Sequence, residues 1–203
     1  MSSPIFNEIA AFFDDLVTAY GDDPRASDWS GAASQRLRFN VLADVTELDG
    51  CSVLDVGCGV AGFGDYLRDR CPSARYTGID LSPKAVETAR RERPYLDVRV
   101  GNLLDADLTG SYDVVIANGI LYRLGSGAPA LAYALVMRLW ELADRAVAFS
   151  SLSAWSPEQS EGEYYADPVE MLDFCRTLTP CVTLRHDYAP HDFTVYLYRE
   201  VRA

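Results

Sequence analysis

Apolar residues recur at helical spacing over residues 5–20, where Ile5, Phe6, Ile9, Phe12, Phe13, Leu16, Val17 and Tyr20 share one side and Gly21 ends the run. Asp22–Ala33, with Pro24, Trp29 and Gly31, reads as a loop. A second helix is expected from about Ser34 to Leu48, with Leu37, Val41, Leu42 and Val45 turned inward. Asp49-Gly50 then turns the chain into a short apolar strand at Val53–Val56. Beyond it, a helix over Phe63–Arg70 gives way at Cys71-Pro72-Ser73 to a strand over Arg75–Asp80. Ser82-Pro83 opens another helix, with Ser82 as N-cap and Pro83 at its first position, running to about Glu92. Leu96–Gly101 and Tyr112–Ala117 are two more strands, the latter apolar enough to be buried on both faces. A helix at Ala128–Ala143, a strand at Ala146–Ser151, a polar and aromatic loop at Ser153–Ala166 and a helix from Asp167-Pro168 to Leu178 come next. Val182–Asp187 and Phe193–Glu200 close the chain as alternating strands with no room for a helix between them, so they pair antiparallel.

Strands alternating with helices predict parallel βαβ units, an α/β doubly wound architecture. We expect a single domain over 1–203, in which residues 1–48 form a helical cap over a core at 49–203. The cap and the 153–166 loop are expected to cover any ligand site.

The stretch Val53–Gly64, VLDVGCGVAGFG, holds the first candidate chemistry. Gly57, Gly59 and Gly62 form G-x-G-x-x-G between a strand and a helix, where glycine tolerates positive φ and lets a ligand reach the backbone. Asp80 ends the next strand, where a carboxylate accepts hydrogen bonds from both hydroxyls of a ribose. Together they indicate an adenosine-type cofactor and leave open a nicotinamide dinucleotide or S-adenosylmethionine.

Composition narrows the partners. A net charge of −12 disfavours a nucleic-acid polyanion, whose binding rests on a basic surface. Five cysteines without a C-x-x-C pair, and only two histidines, give no zinc site and no metal centre, and suit a reducing, cytoplasmic compartment. The N-terminus lacks the basic segment of a signal peptide, and no apolar run approaches membrane-spanning length, so no membrane partner is expected. One lysine, Lys84, against 17 arginines hints at a GC-rich, bacterial genome.

Three details separate the two cofactors. Asp55 lies two residues before the first glycine, where it would repel a pyrophosphate but suits a ligand bearing an ammonium group. A chain of 203 residues leaves little for a dehydrogenase's substrate domain. The closing hairpin is foreign to a plain dinucleotide fold. With these residues in place, the chain resembles the class I S-adenosylmethionine-dependent methyltransferases of the small-molecule type. The matching stretches are VLDVGCGVAGFG at 53–64, YTGIDLSPKAVETAR at 76–90, VRVGNLLDAD at 98–107 and YDVVIANGILYRL at 112–124.

The resemblance implies a seven-stranded sheet of order 3-2-1-4-5-7-6 with strand 7 antiparallel. It implies that Asp55, Gly57, Cys58, Gly59 and Gly62 lie under the methionine and ribose of the cofactor. Asp80 would take the ribose hydroxyls, Leu81 would lie against adenine, and Asn102-Leu103 would meet the adenine edge. Asn118 and Gly119 would flank the methionine chain. Arg38 matches an arginine that reaches the cofactor carboxylate, with Arg36 as its competitor. The reaction so implied is methyl transfer to oxygen or nitrogen of a small-molecule acceptor. A nicotinamide-dependent reductase and a non-catalytic cofactor-binding relative are the alternatives.

An acceptor that is an alcohol or protonated amine needs a base, and only histidine titrates naturally near neutrality. HDYAPHDF, His186–Phe193, turns the last two strands at the carboxyl end of the parallel sheet. His191, in the turn, is the candidate base; His186 is a candidate wall residue. Trp29, Tyr122, Trp155, Tyr164 and Tyr165 are the aromatics outside regular core patterns and are the candidate acceptor wall.

Overall fold

The computed structural model describes residues 4–106 and 108–201; Asp107, the last residue of the third matching stretch, lies outside them. Seven strands form one sheet in the order β3-β2-β1-β4-β5-β7-β6. They are β1 (Ser52–Val56), β2 (Arg75–Asp80), β3 (Asp97–Val100), β4 (Tyr112–Ala117), β5 (Ala143–Leu152), β6 (Val182–Arg185) and β7 (Asp192–Tyr198). The first five run parallel, while β7 lies antiparallel to both β5 and β6. This is the sheet that the resemblance implied.

The alternating side chains of the strands divide the core into two layers. Leu54, Val115, Val147 and Phe149 face the helices α5 (Ala128–Glu141) and α6 (Pro168–Leu178). Val53, Val114, Ile116 and Ala148 face α2 (Ala32–Ala43) and α3 (Gly62–Arg70). β4 and β7 are buried on both sides because each has a strand on either edge and helices above and below.

The first helix, α1 (Pro4–Tyr20), packs on α4 (Pro83–Glu92) rather than on the sheet. The Asp14 carboxylate accepts from the Ser82 hydroxyl at 2.5 Å and from the Lys84 amide at 3.1 Å. It thereby supplements the cap that Ser82 itself gives the Ala85 amide at 3.0 Å. A second polar joint holds the chain after α1: Arg93 donates to both carboxylate oxygens of Asp22, to Asp65 and to the Val60 carbonyl.

Several boundaries differ from expectation. The second helix ends at Ala43, not Leu48, yet Val45 and Leu48 are buried beneath it in an irregular turn. β5 runs ten residues, starting at Ala143, because β7 pairs with it along seven positions and β4 reaches back to its first. Within the Asp22–Ala33 loop, Pro24–Ser27 forms a turn of 3-10 helix capped by Asp23. Among the described residues no helix is long and apolar enough to cross a membrane.

Candidate active site

The carboxyl ends of β1, β2 and β4 open into one cavity of about 320 Å3 roofed by α1 and the segment around Trp29. Its floor is the glycine turn. Gly57 has φ +71°, and a Cβ there would overlap the Cγ2 methyl of Ile120. Gly59 has φ +55°, and its Cβ would stand 2.6 Å from Ser27 Oγ. Both conformation and space therefore call for glycine. Ala61 also adopts a left-handed φ of +62° as α3 begins.

Asp80 locks this turn to the end of β2. Its Oδ2 accepts from the Gly59 amide at 2.8 Å and its Oδ1 from the Ser82 amide at 2.8 Å. Burial raises its pKa, while those two amides and that of Leu81 hold it down. The carboxylate is fixed in direction yet keeps lone pairs for a ligand in the cavity it lines. Asp55 is deeper. It accepts from the Tyr76 hydroxyl at 2.7 Å, and burial pushes its pKa up to about 7.

On the adjoining wall, Asn102 turns its side-chain oxygen to the Leu104 amide at 3.0 Å and so shapes the turn after β3 that carries Leu103. After β4, Ser150 Oγ accepts from the Gly119 amide at 3.1 Å and donates to Asn118 Oδ1 at 2.8 Å. Leu81 completes that wall.

The far end belongs to α2 and the head of β7. Arg38 is buried, and its guanidinium forms an ion pair with the equally buried Asp192. Its Nη1 donates to Ser34 Oγ at 2.6 Å and to the Ser34 carbonyl at 3.1 Å, and Nη2 lies 3.1 Å from His191 Nε2. The Trp29 ring lies 4.7 Å from the same guanidinium. Arg36 points elsewhere and stacks on Tyr66 at 4.5 Å, which leaves Arg38 as the one of the two arginines in the cavity wall. Both terminal nitrogens of Arg38 are thus engaged, and a ligand carboxylate would meet its Nε–H or displace one of these bonds.

All twelve expected cofactor residues line this single cavity, as do His191, Trp29 and Tyr122. Four expected wall residues do not. His186 hydrogen-bonds Ser153 Oγ at 2.7 Å and is sandwiched between Trp155 and Phe193, so it closes the sheet end from behind. Trp155 is 55% exposed on its outer side. Tyr164 packs onto the core layer under α5 and α6. Tyr165 reaches back within its own loop to Glu163 at 2.6 Å and the Ser160 amide at 2.9 Å. Conversely, Asp28 and Glu163 reach the cavity although no motif marks them, as do Arg123, at the end of the fourth matching stretch, and Phe6, Ile9 and Phe13 of α1. The apolar side of α1 is a ligand roof as well as a packing face. Its stripe could be read from the sequence, but periodicity does not say what a stripe covers.

The Asp80 and glycine geometry suits a ribose-bearing ligand: a pre-oriented carboxylate beside a turn that no side chain obstructs. Comparison with known proteins agrees. A family model described as "Methyltransferase domain" matches residues 53–139. The Mycobacterium tuberculosis protein named "Putative methyltransferase Rv1506c" is 32% identical over 157 residues, 74% of this chain and 95% of its own length. The malonyl-[acyl-carrier protein] O-methyltransferase of Acetivibrio thermocellus is 38% identical over 92 residues, 43% of this chain and 32% of its own. Among solved structures, magnesium protoporphyrin IX methyltransferase from Synechocystis PCC 6803, crystallised with bound SAH, superposes with a TM-score of 0.72 at 18% identity. That match covers 96% of this chain and 99% of the other, and it establishes the shared fold.

Proposed function

The chain belongs to the class I S-adenosylmethionine-dependent methyltransferases, and from that premise we propose that it methylates an oxygen or nitrogen atom of a small-molecule acceptor by in-line displacement. The observation that carries this reading is the single continuous cavity, which runs from Asp80 and the glycine turn at one end to Trp29, Tyr122 and His191 at the other.

The residues present fit the cofactor. Asp80 would hold the ribose hydroxyls, with Leu81, Asn102 and Leu103 around the adenine. Gly57, Cys58, Gly59 and Gly62 would offer backbone beneath the ribose and methionine. Asp55, Asn118, Gly119 and Arg38 would surround the amino-acid end. When bound, the cofactor supplies a methyl group already activated on a positively charged sulfur. The protein's own task is then to hold an acceptor atom in line with that methyl and keep water out; positioning of this kind is worth about 7–11 kcal/mol.

The roof favours a small acceptor. Phe6, Ile9 and Phe13 close the cavity above, and Tyr122 ties to Asp28 at 2.8 Å beside its mouth. A net charge of −12 works against nucleic acid. Incubation with methyl-labelled S-adenosylmethionine and a panel of small phenols, carboxylic acids and amines, read by mass spectrometry, tests this. Transfer to a panel member is expected; labelled protein or nucleic acid in a cell extract, with no labelled small molecule, would contradict it.

A further inference from the structure

The hydrogen-bonding capacity left over in the cavity is unevenly distributed between donors and acceptors. Each carboxylate that lines it already has a partner. Asp28 accepts from Tyr122 at 2.8 Å, Asp55 from Tyr76 at 2.7 Å and Glu163 from Tyr165 at 2.6 Å. Asp80 accepts two backbone amides, and Asp192 is paired with Arg38. Several donors on the wall, Arg123 and Gln35 included, have no carboxylate partner among the described residues, and two of them lie in a network of named neighbours.

The first is His191. An arginine can only donate, so Arg38 Nη2, at 3.1 Å, makes His191 Nε2 an acceptor and places the ring proton on Nδ1. Ser34 and Asp192 take the other bonds of the two terminal nitrogens of Arg38. The imidazole, 48% exposed at its side chain, therefore offers an N–H, while the lone pair a base would use is occupied. The second is Asn118. Its Oδ1 receives the Ser150 hydroxyl proton at 2.8 Å, and Ser150 Oγ in turn accepts from the Gly119 amide at 3.1 Å. The Asn118 NH2 group is thus left to donate elsewhere, on a side chain that lines the cavity.

Resting on the methyltransferase reading above, we propose that the acceptor is an acidic oxygen compound, a carboxylate or ionised phenol, received by the Nδ1–H of His191 as a hydrogen-bond donor rather than deprotonated by it. An oxygen that arrives as an anion forms the new bond to the methyl carbon with a lone pair it already has. The bond from carbon to sulfur breaks with its electron pair going to sulfur, and no proton leaves. His191 then serves as a contact that orients the oxyanion, and Arg38 as the positioning residue that fixes its tautomer. A protonated amine would instead meet a second N–H at His191.

The test uses the whole chain saturated with S-adenosylhomocysteine, whose own binding is measured first by calorimetry. Failure at that first step would overturn the methyltransferase reading itself, separately from the identity of the acceptor. Benzoate and benzylammonium are the matched probes. Benzoate is expected to bind at least tenfold more tightly than benzylammonium, the scale of one charge-assisted hydrogen bond. His191→Ala should weaken benzoate by about tenfold or more, while His191→Asn, which keeps an N–H near the place of Nδ1, should hold it within about threefold. Nitrogen-15 spectra of histidine-labelled protein should show His191 as the Nδ1–H tautomer, moving toward Nε2–H in Arg38→Met. Should that variant fail to fold, the wild-type spectrum alone decides the tautomer. A preference for benzylammonium, binding of neither probe, or an Nε2–H tautomer in the wild type would each overturn the proposal.

Discussion

Arg38 on the second helix and Asp192 at the head of the last strand face each other as a buried ion pair. The pair joins the N-terminal cap to the strand end that the acceptor half of the cavity is built on. Removing one partner leaves the other charge buried and unmatched. Asp192→Ala should therefore cost about 3–5 kcal/mol of stability, whereas replacing both partners by apolar residues of similar size should recover most of it. Chemical denaturation of wild type and the two variants checks this; an Asp192→Ala protein as stable as wild type would mean that the pair does not hold the cap.

Arg93 makes a comparable connection at the other end of the roof. It ties Asp22, just beyond the first helix, to Asp65 and to the Val60 carbonyl in the glycine turn. Arg93→Ala should loosen roof and turn together. We expect cofactor affinity to fall severalfold, less than the loss of a charged hydrogen bond made to the ligand itself, with turnover at saturating cofactor little changed. Arg93→Lys should restore part of the loss. A fall in turnover without a change in affinity would contradict this role.

Gly57→Ala tests the turn. The substitution meets both a φ of +71° and the Ile120 methyl. A cost of about 1–2 kcal/mol from backbone conformation alone is expected, with more from the displaced side chain, alongside loss of cofactor binding. Thermal unfolding and calorimetry read the two effects separately.

Asp55 gives the protein a specific pH dependence. Burial raises its carboxyl to about 7, well above the ordinary value of 3.8. Between these values the folded chain keeps a proton that the unfolded chain has released. The contribution of Asp55 to stability is thus full below about pH 4, declines as pH rises toward about 7, and is flat above. Asp55→Asn removes this term, so the stability of the variant relative to wild type should increase from about pH 4.5 to about pH 7.5. A constant difference between the two over that range would show that Asp55 is ionised throughout.

Much of the fold was legible in the chain because the signals are local. Ser82-Pro83 marks a helix start by capping chemistry alone, and α4 begins there. The glycines and Asp80 announce a turn and a partner on the next strand, and a hydrogen bond of 2.8 Å joins Asp80 to Gly59. The acceptor side was less legible because aromatic residues in a loop carry no mark of direction. Trp29 and Tyr122 turn into the cavity, while Trp155, Tyr164 and Tyr165 turn away. The role of Arg93 was invisible for the same reason: its three partners are brought together only by the fold. His191 was found from its place in the last turn, but its bond to Arg38, which determines its tautomer, required the crossing of α2 and β7.

Calorimetric titration of the wild type and Asp80→Asn with S-adenosylhomocysteine, with NADH as control, probes the cofactor assignment at its root. We expect one S-adenosylhomocysteine per chain, no response to NADH, and affinity at least about tenfold lower in a folded Asp80→Asn protein, the scale of charge-assisted hydrogen bonds to ribose. Binding of NADH instead, or an affinity for S-adenosylhomocysteine unchanged by the substitution, would contradict it.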